Sequence, residues 1–158
     1  MSIAVALGRQ RARLLEAIGL RRLAAHAWGE VLLIDPQNLE AALRLGHIAL
    51  ARGKEEEALG WFTRATRQAE DSAEAWHGVG ICQAASGAHA EAIAALVRAL
   101  ALRPDDGELL RQLALAQHHA GQGDAFGITL ARLEQVDASQ ARLLRDELAE
   151  ATRGEASS

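Results

Sequence analysis

An all-α fold assembled from repeated helix pairs is what this sequence predicts, and three observations predict it. Alanine and leucine dominate an apolar fraction of 49%, aromatics supply only 3% and tyrosine is absent; a sheet would want β-branched and aromatic residues instead. Only two prolines fall within 158 residues. Finally, small residues, large residues and glycines return at a constant interval of 34 residues, the length of two short helices and their turns.

The interval is visible at six positions. Gly53 recurs as Gly19, Gly87 and Gly121. Gly46 recurs as Gly80 and as the small Ala12 and Ala114, and Ala58 recurs as Ala24 and Ala92. Phe62 recurs as Trp28, Leu96 and Leu130; Ala65 recurs as Ala99, with Val31 one interval earlier; Pro36 and Pro104 lie two intervals apart. Four units follow: 5–38, 39–72, 73–106 and 107–140. The first keeps Ala12, Ala24, Trp28 and Pro36 but has Gly8 where the third and fourth have the large Trp76 and Leu110; the second carries Leu45-Gly46, Ala58, Phe62 and Ala65. The third carries Trp76, Val79-Gly80, Ala92, Leu96, Ala99 and Pro104. The fourth keeps Leu110, Leu113-Ala114 and Leu130, then places Phe126 where the others have alanine and Leu133 where the second and third have it.

This order of small, large and glycine positions resembles the tetratricopeptide repeat. The resemblance implies a right-handed α–α superhelix of four helix-turn-helix units. Gly46 and Gly80 are then sites where the paired helix crosses too closely to admit a Cβ, with Ala58, Ala92 and Ala99 as packing partners. Gly53 and its copies end the first helix of each pair in the left-handed conformation. Asn38, Ser72 and Asp106 sit just before each following helix as N-caps, with Glu40, Glu74 and Glu108 in the first turn, where the helix dipole favours negative charge. "SQARLLRDELAEATR" (139–153) reads as a closing helix with Leu143, Leu144 and Leu148 on its apolar face, since solenoid ends need a polar-backed cover. The domain is expected to span 1–153, with 154–158 a disordered tail.

The function classes that composition excludes are several. A net charge of −4 argues against nucleic acid as the main partner, because phosphate binding needs a basic face; the basic run "GRQRAR" reads as a solvated helix face. Cys82 is the sole cysteine, so no disulfide framework or multi-cysteine metal site is expected, and its position marks it as a buried small apolar residue. No basic-then-apolar leader and no apolar run of ~20 residues occurs, which points to a cytoplasmic protein. No phosphate loop, acid dyad or Ser/His/Asp set is present. The expectation is a non-enzymatic chain without cofactor or metal.

The resemblance also implies a concave groove lined by the first helices. Carried onto this sequence, its face comprises Arg9, Arg13 and Glu16, then Leu43, His47 and Leu50, then His77, Ile81 and Ala84, then Arg111, Leu115, His118 and His119. An apolar centre with basic ends suits an extended or helical apolar peptide with some acidic residues. Capture of a C-terminal carboxylate, known in the family, is not expected: the positions concerned hold Arg9, Arg13, Arg44, Glu74 and Gly78, and the last two are not cations. The groove histidines have no carboxylate or cysteine at ligand spacing beside them, so metal is not expected. The implied role is a protein-binding adaptor or scaffold. One alternative comes from "GVGICQAASGAHAEAI" (78–93), which resembles the central repeat of type III secretion chaperones and implies a hydrophobic secreted client. Another is self-assembly as a homo-oligomer, suggested by Val5–Ala6 and the uncovered first repeat.

Overall fold

A computed structural model gives the fold, which is described for residues 2–155. Among these residues nine helices run in sequence: α1 (Ile3–Ala17), α2 (Arg21–Ile34), α3 (Leu39–Leu50), α4 (Glu55–Gln68), α5 (Ala73–Ala85), α6 (His89–Leu102), α7 (Gly107–His119), α8 (Gly123–Val136) and α9 (Ala138–Glu155). Each packs on the next, and α3, α5, α7 and α9 also touch in succession as an inner layer. The result is an all-α superhelix in which α1/α2, α3/α4, α5/α6 and α7/α8 are the pairs.

The starts and stops have local causes. Asn38, Ser72 and Asp106 accept hydrogen bonds from the backbone N–H of Ala41, Ala75 and Leu109 at 3.0, 3.2 and 3.1 Å, the expected N-caps. α1 begins two residues earlier in the repeat than α3, α5 and α7, because Ser2 caps it through Ala4 N–H. At the other end of each first helix, Gly19, Gly53, Gly87 and Gly121 all have φ between 66° and 80°. The N–H of each following residue reaches back five residues, as in Leu20 to Leu15 at 2.9 Å and Lys54 to Ala49 at 3.0 Å; this is the Schellman closure, and it turns the chain into the second helix.

Packing within the pairs fits the small-residue pattern with one refinement. A Cβ on Gly46 would lie 2.8 Å from the Phe62 ring, and one on Gly80 would lie 2.7 Å from Leu96 Cγ. The space is therefore filled by the large side chain of the partner helix, not by its backbone. Ala58, Ala92 and Ala99 are wholly buried.

A second set of contacts ties consecutive pairs at the convex turns. Arg64 Nη2 donates to the Pro36 carbonyl at 2.6 Å, and Arg132 Nη2 to the Pro104 carbonyl at 2.8 Å, both spanning 28 residues. Arg98, at the same position of the third repeat, stacks over the Trp76 ring instead, 5.0 Å from its centroid.

The closing helix forms as expected, but its inward face differs. Ala141, Leu144 and Leu148 pack against the last core cluster with Leu133 and Phe126, whereas Leu143 is 58% exposed. Asp137 caps α9 through the N–H groups of Ser139 and Gln140 at 3.1 Å. The helical backbone continues to Glu155; the rest of the tail expected at 154–158 lies outside the described residues.

Candidate functional site

The inner layer carries the groove residues in three stations. At the first, α1 and α3 meet through charge. Arg9 Nη2 lies 2.5 Å and Arg13 Nη2 2.6 Å from the two oxygens of Glu40, and Arg44 lies 3.6 Å from Glu16. Glu16 also accepts a hydrogen bond from the indole N–H of Trp28. The basic end foreseen from sequence thus holds its own carboxylates.

The middle station joins α3 and α5. His47 Nε2 is 2.8 Å from Glu74, which supplies the neighbouring carboxylate that the sequence reading did not find. Arg13–Glu40 and His47–Glu74 each span 27 residues, so they are one cross-repeat contact used twice. At the next turn of this ladder stands Ile81, which cannot pair with Glu108. His47 also meets the Phe62 ring edge-on, with centroids 5.1 Å apart. Leu50 is half-buried against the same core. Leu43 leaves the groove face: it is only 9% exposed, packed in the cluster with Phe62 and Val79. His77 is half-buried and its Nε2 has no hydrogen-bond partner. Burial pushes its pKa below the ordinary imidazole value, against the pull of Glu108 and Asp106 and with a smaller push from His47 and Arg103.

The third station is a cleft of about 510 Å³ between α5 and α7. Ile81, Ala84, Ala85, Leu115 and Ala116 form its apolar walls, and His89, Gln112 and His119 its polar rim. The His89 and His119 rings stack with centroids 5.4 Å apart. His118 turns out of this cleft and lies against Phe126 of α8, 5.4 Å between centroids; of the two adjacent histidines, His119 is the one that lines it. Beyond, Arg111 is held by Glu108 on its own helix and by Glu147 of α9, each at 3.1 Å. Burial works to raise the Glu108 carboxyl, but hydrogen bonds from Arg111 and Gln112 outweigh it and hold the pKa below its ordinary value. The hydrogen bond to Glu108 in turn raises Arg111. At this second end the carboxylates outnumber the arginine.

Among the described residues, no group of three or more His, Cys, Asp or Glu could hold a metal ion, and no helix is long and apolar enough to cross a membrane. Cys82 is buried, and burial pushes its thiol up to about 11, far from the thiolate form that nucleophilic chemistry requires. The sequence placed Glu40, Glu74 and Glu108 in first helical turns without revealing the cross-repeat pairs that Glu40 and Glu74 make, and the arginine at the twenty-sixth position of repeats two to four was missed.

Residues 22–79 match the family model described as a tetratricopeptide repeat. No curated protein matches the sequence. Among solved structures, a crystal structure of MamA superposes over 100% of this chain and 99% of its own, at 20% identity and a TM-score of 0.78. MamA from Desulfovibrio magneticus RS-1 is similar over 86% of this chain and 77% of that one, at 18% identity and a TM-score of 0.78. YrrB, described as a TPR protein with an unusual peptide-binding site, covers 87% of this chain and 74% of its own, at 19% identity and a TM-score of 0.75. At such identities these structures share the fold. Helix pairs of 34 residues, glycine-closed turns, the family model matched over residues 22–79 and the shared superhelix together give the chain a tetratricopeptide-repeat fold.

Proposed function

We propose that the chain is a non-enzymatic interaction module that holds an apolar helix or extended segment of another protein in its concave groove. One observation carries the reading: the cleft between α5 and α7 is walled by Ile81, Ala84, Ala85 and Leu115 and edged by His89, Gln112 and His119. A concave apolar surface with a few hydrogen-bonding groups at its rim is what a peptide anchor side chain needs. The description of YrrB as peptide-binding supports the same use of this fold.

The charge arrangement refines the ligand. With Arg9, Arg13 and Arg44 on Glu40 and Glu16, the first end keeps a small excess of positive charge, whereas Arg111 is outnumbered by Glu108 and Glu147 at the other. The favoured segment is therefore mainly apolar, with acidic residues accommodated at the α1 end alone, in place of the two basic ends that the sequence suggested.

The test is capture of partners from a peptide display library with wild type, Ile81→Glu and Ala85→Trp. Ile81 is half-buried and Ala85 exposed, so both variants should keep the helical melting curve while losing apolar peptides. Undiminished capture by both would place the ligand elsewhere.

A further inference from the structure

The N-terminal face of α1 repeats a buried surface of the solenoid, and no described residue covers it. The positions of Leu7 and Leu14 correspond to Ala41 and Ile48, Ala75 and Cys82, and Leu109 and Ala116 in the next three repeats. All six of those are buried, against the preceding helix pair, whereas Leu7 is 60% and Leu14 64% exposed. The apolar surface also extends further than a missing repeat would explain. Ile3 and Ile18, 79% and 61% exposed, stand where the later repeats have Gln37, Asp71 and Asp105, and Arg52, Ser86 and Ala120.

The stripe reads the same from either end. Along the exposed side of α1 the order is Ile3, Ala4, Leu7, Gln10, Arg11, Leu14, Ala17, Ile18. Reversing the helix puts isoleucine on isoleucine, alanine on alanine and leucine on leucine, about a centre between Gln10 and Arg11. A two-fold contact demands that property, since residue i must meet j while j meets i.

We propose that α1 packs antiparallel against α1 of a second copy of this chain, across a two-fold axis between residues 10 and 11. Ile3 then meets the partner copy's Ile18, and Leu7 the partner copy's Leu14. Ala4 and Ala17 let the helices approach closely. Arg11, the one charge inside the seam, is already paired with Glu30 at 2.9 Å, so the axis gathers no uncompensated charge. One face of a single helix offers less than the ~800 Å² per partner of a standard interface, so the dimer dissociates on dilution. The groove cleft, on α5 and α7, is left open.

The test is molar mass by light scattering over a dilution series, together with cysteine crosslinking. Wild type is expected to pass from dimer to monomer on dilution, and Leu7→Glu/Leu14→Glu to be monomeric throughout with an unchanged helical melt. Gln10→Cys should give a covalent dimer on mild oxidation, the native Cys82 being buried. Ile3→Cys should crosslink only when mixed with Ile18→Cys. Wild type that stays monomeric at the highest concentration, a dimer that survives Leu7→Glu/Leu14→Glu, or self-crosslinking of Ile3→Cys overturns the proposal. Peptide capture by Leu7→Glu/Leu14→Glu should match wild type, so the groove reading stands or falls separately.

Discussion

The Phe62 ring on α4 occupies the space that a Cβ on Gly78 of α5 would require. Gly46 of α3 borders the same ring, so one phenylalanine is clasped by glycines from two successive inner helices, directly beneath His47. This floor joins the second and third repeats and fixes how far apart α3 and α5 stand.

Gly78→Ala should therefore destabilise the protein by about 1–3 kcal/mol through overpacking. A glycine-to-alanine change inside a helix ordinarily gains about 1 kcal/mol, so the sign alone is diagnostic. Urea unfolding of Gly78→Ala and of Gly78→Ala/Phe62→Leu checks it: the smaller leucine should recover much of the loss. A stabilised Gly78→Ala would show that the ring moves aside freely.

Removing packing under the closing helix has a contrasting pair of outcomes. Leu144 is fully buried against the Leu133 cluster, so Leu144→Ala should cost about 2–5 kcal/mol. Its neighbour Leu143 is exposed, and Leu143→Ala should stay within about 0.5 kcal/mol of wild type. Thermal unfolding of the two variants side by side distinguishes this face of α9 from the one expected at first.

His77 gives the fold an acid-sensitive point. Its pKa is lowered chiefly by burial, so the unfolded chain binds more protons than the folded one between the depressed value and the ordinary imidazole value. Stability is then complete above the ordinary value and falls as pH drops through that window. His77→Gln should flatten this part of the profile relative to wild type, measured as denaturation midpoints from neutral to mildly acidic pH. Identical slopes in both proteins would count against burial as the cause.

Glu40 sets the electrostatic taste of one groove end. Glu40→Gln removes the carboxylate shared by Arg9 and Arg13 and makes that end more strongly basic. Stability should change by less than about 1 kcal/mol, as for other partly exposed pairs, while binding of acidic peptides should strengthen and weaken again with added salt. Fluorescence titration with neutral and acidic versions of a captured peptide reads both effects.

Much of the backbone plan was legible in the sequence because its causes are local. A glycine at φ near 70° or an asparagine accepting an N–H two or three residues on is a demand that only a few residue types meet, and here it recurs at a fixed interval. Which side of a helix faces inward is a different matter, decided by crossing angles and neighbours. Leu43, Leu143 and His118 were misplaced for that reason. Gly78 escaped notice because its partner, Phe62, lies in the preceding repeat. The Arg13–Glu40 and His47–Glu74 ladder needs a spacing of 27, which no single unit displays. The cleft between α5 and α7 includes Ile81 and Leu115 from the inner-face positions, but its His89 wall comes from a second helix, outside any list of such positions.

Among the described residues each helix leans chiefly on those beside it and on the inner helix one pair away, and the first pair has no substantial contact with the last. Such a chain behaves as a spring. Pulled by its two termini, it should give way pair by pair in a series of small extensions, and a guest gripping α5 and α7 would stiffen only the coils it spans.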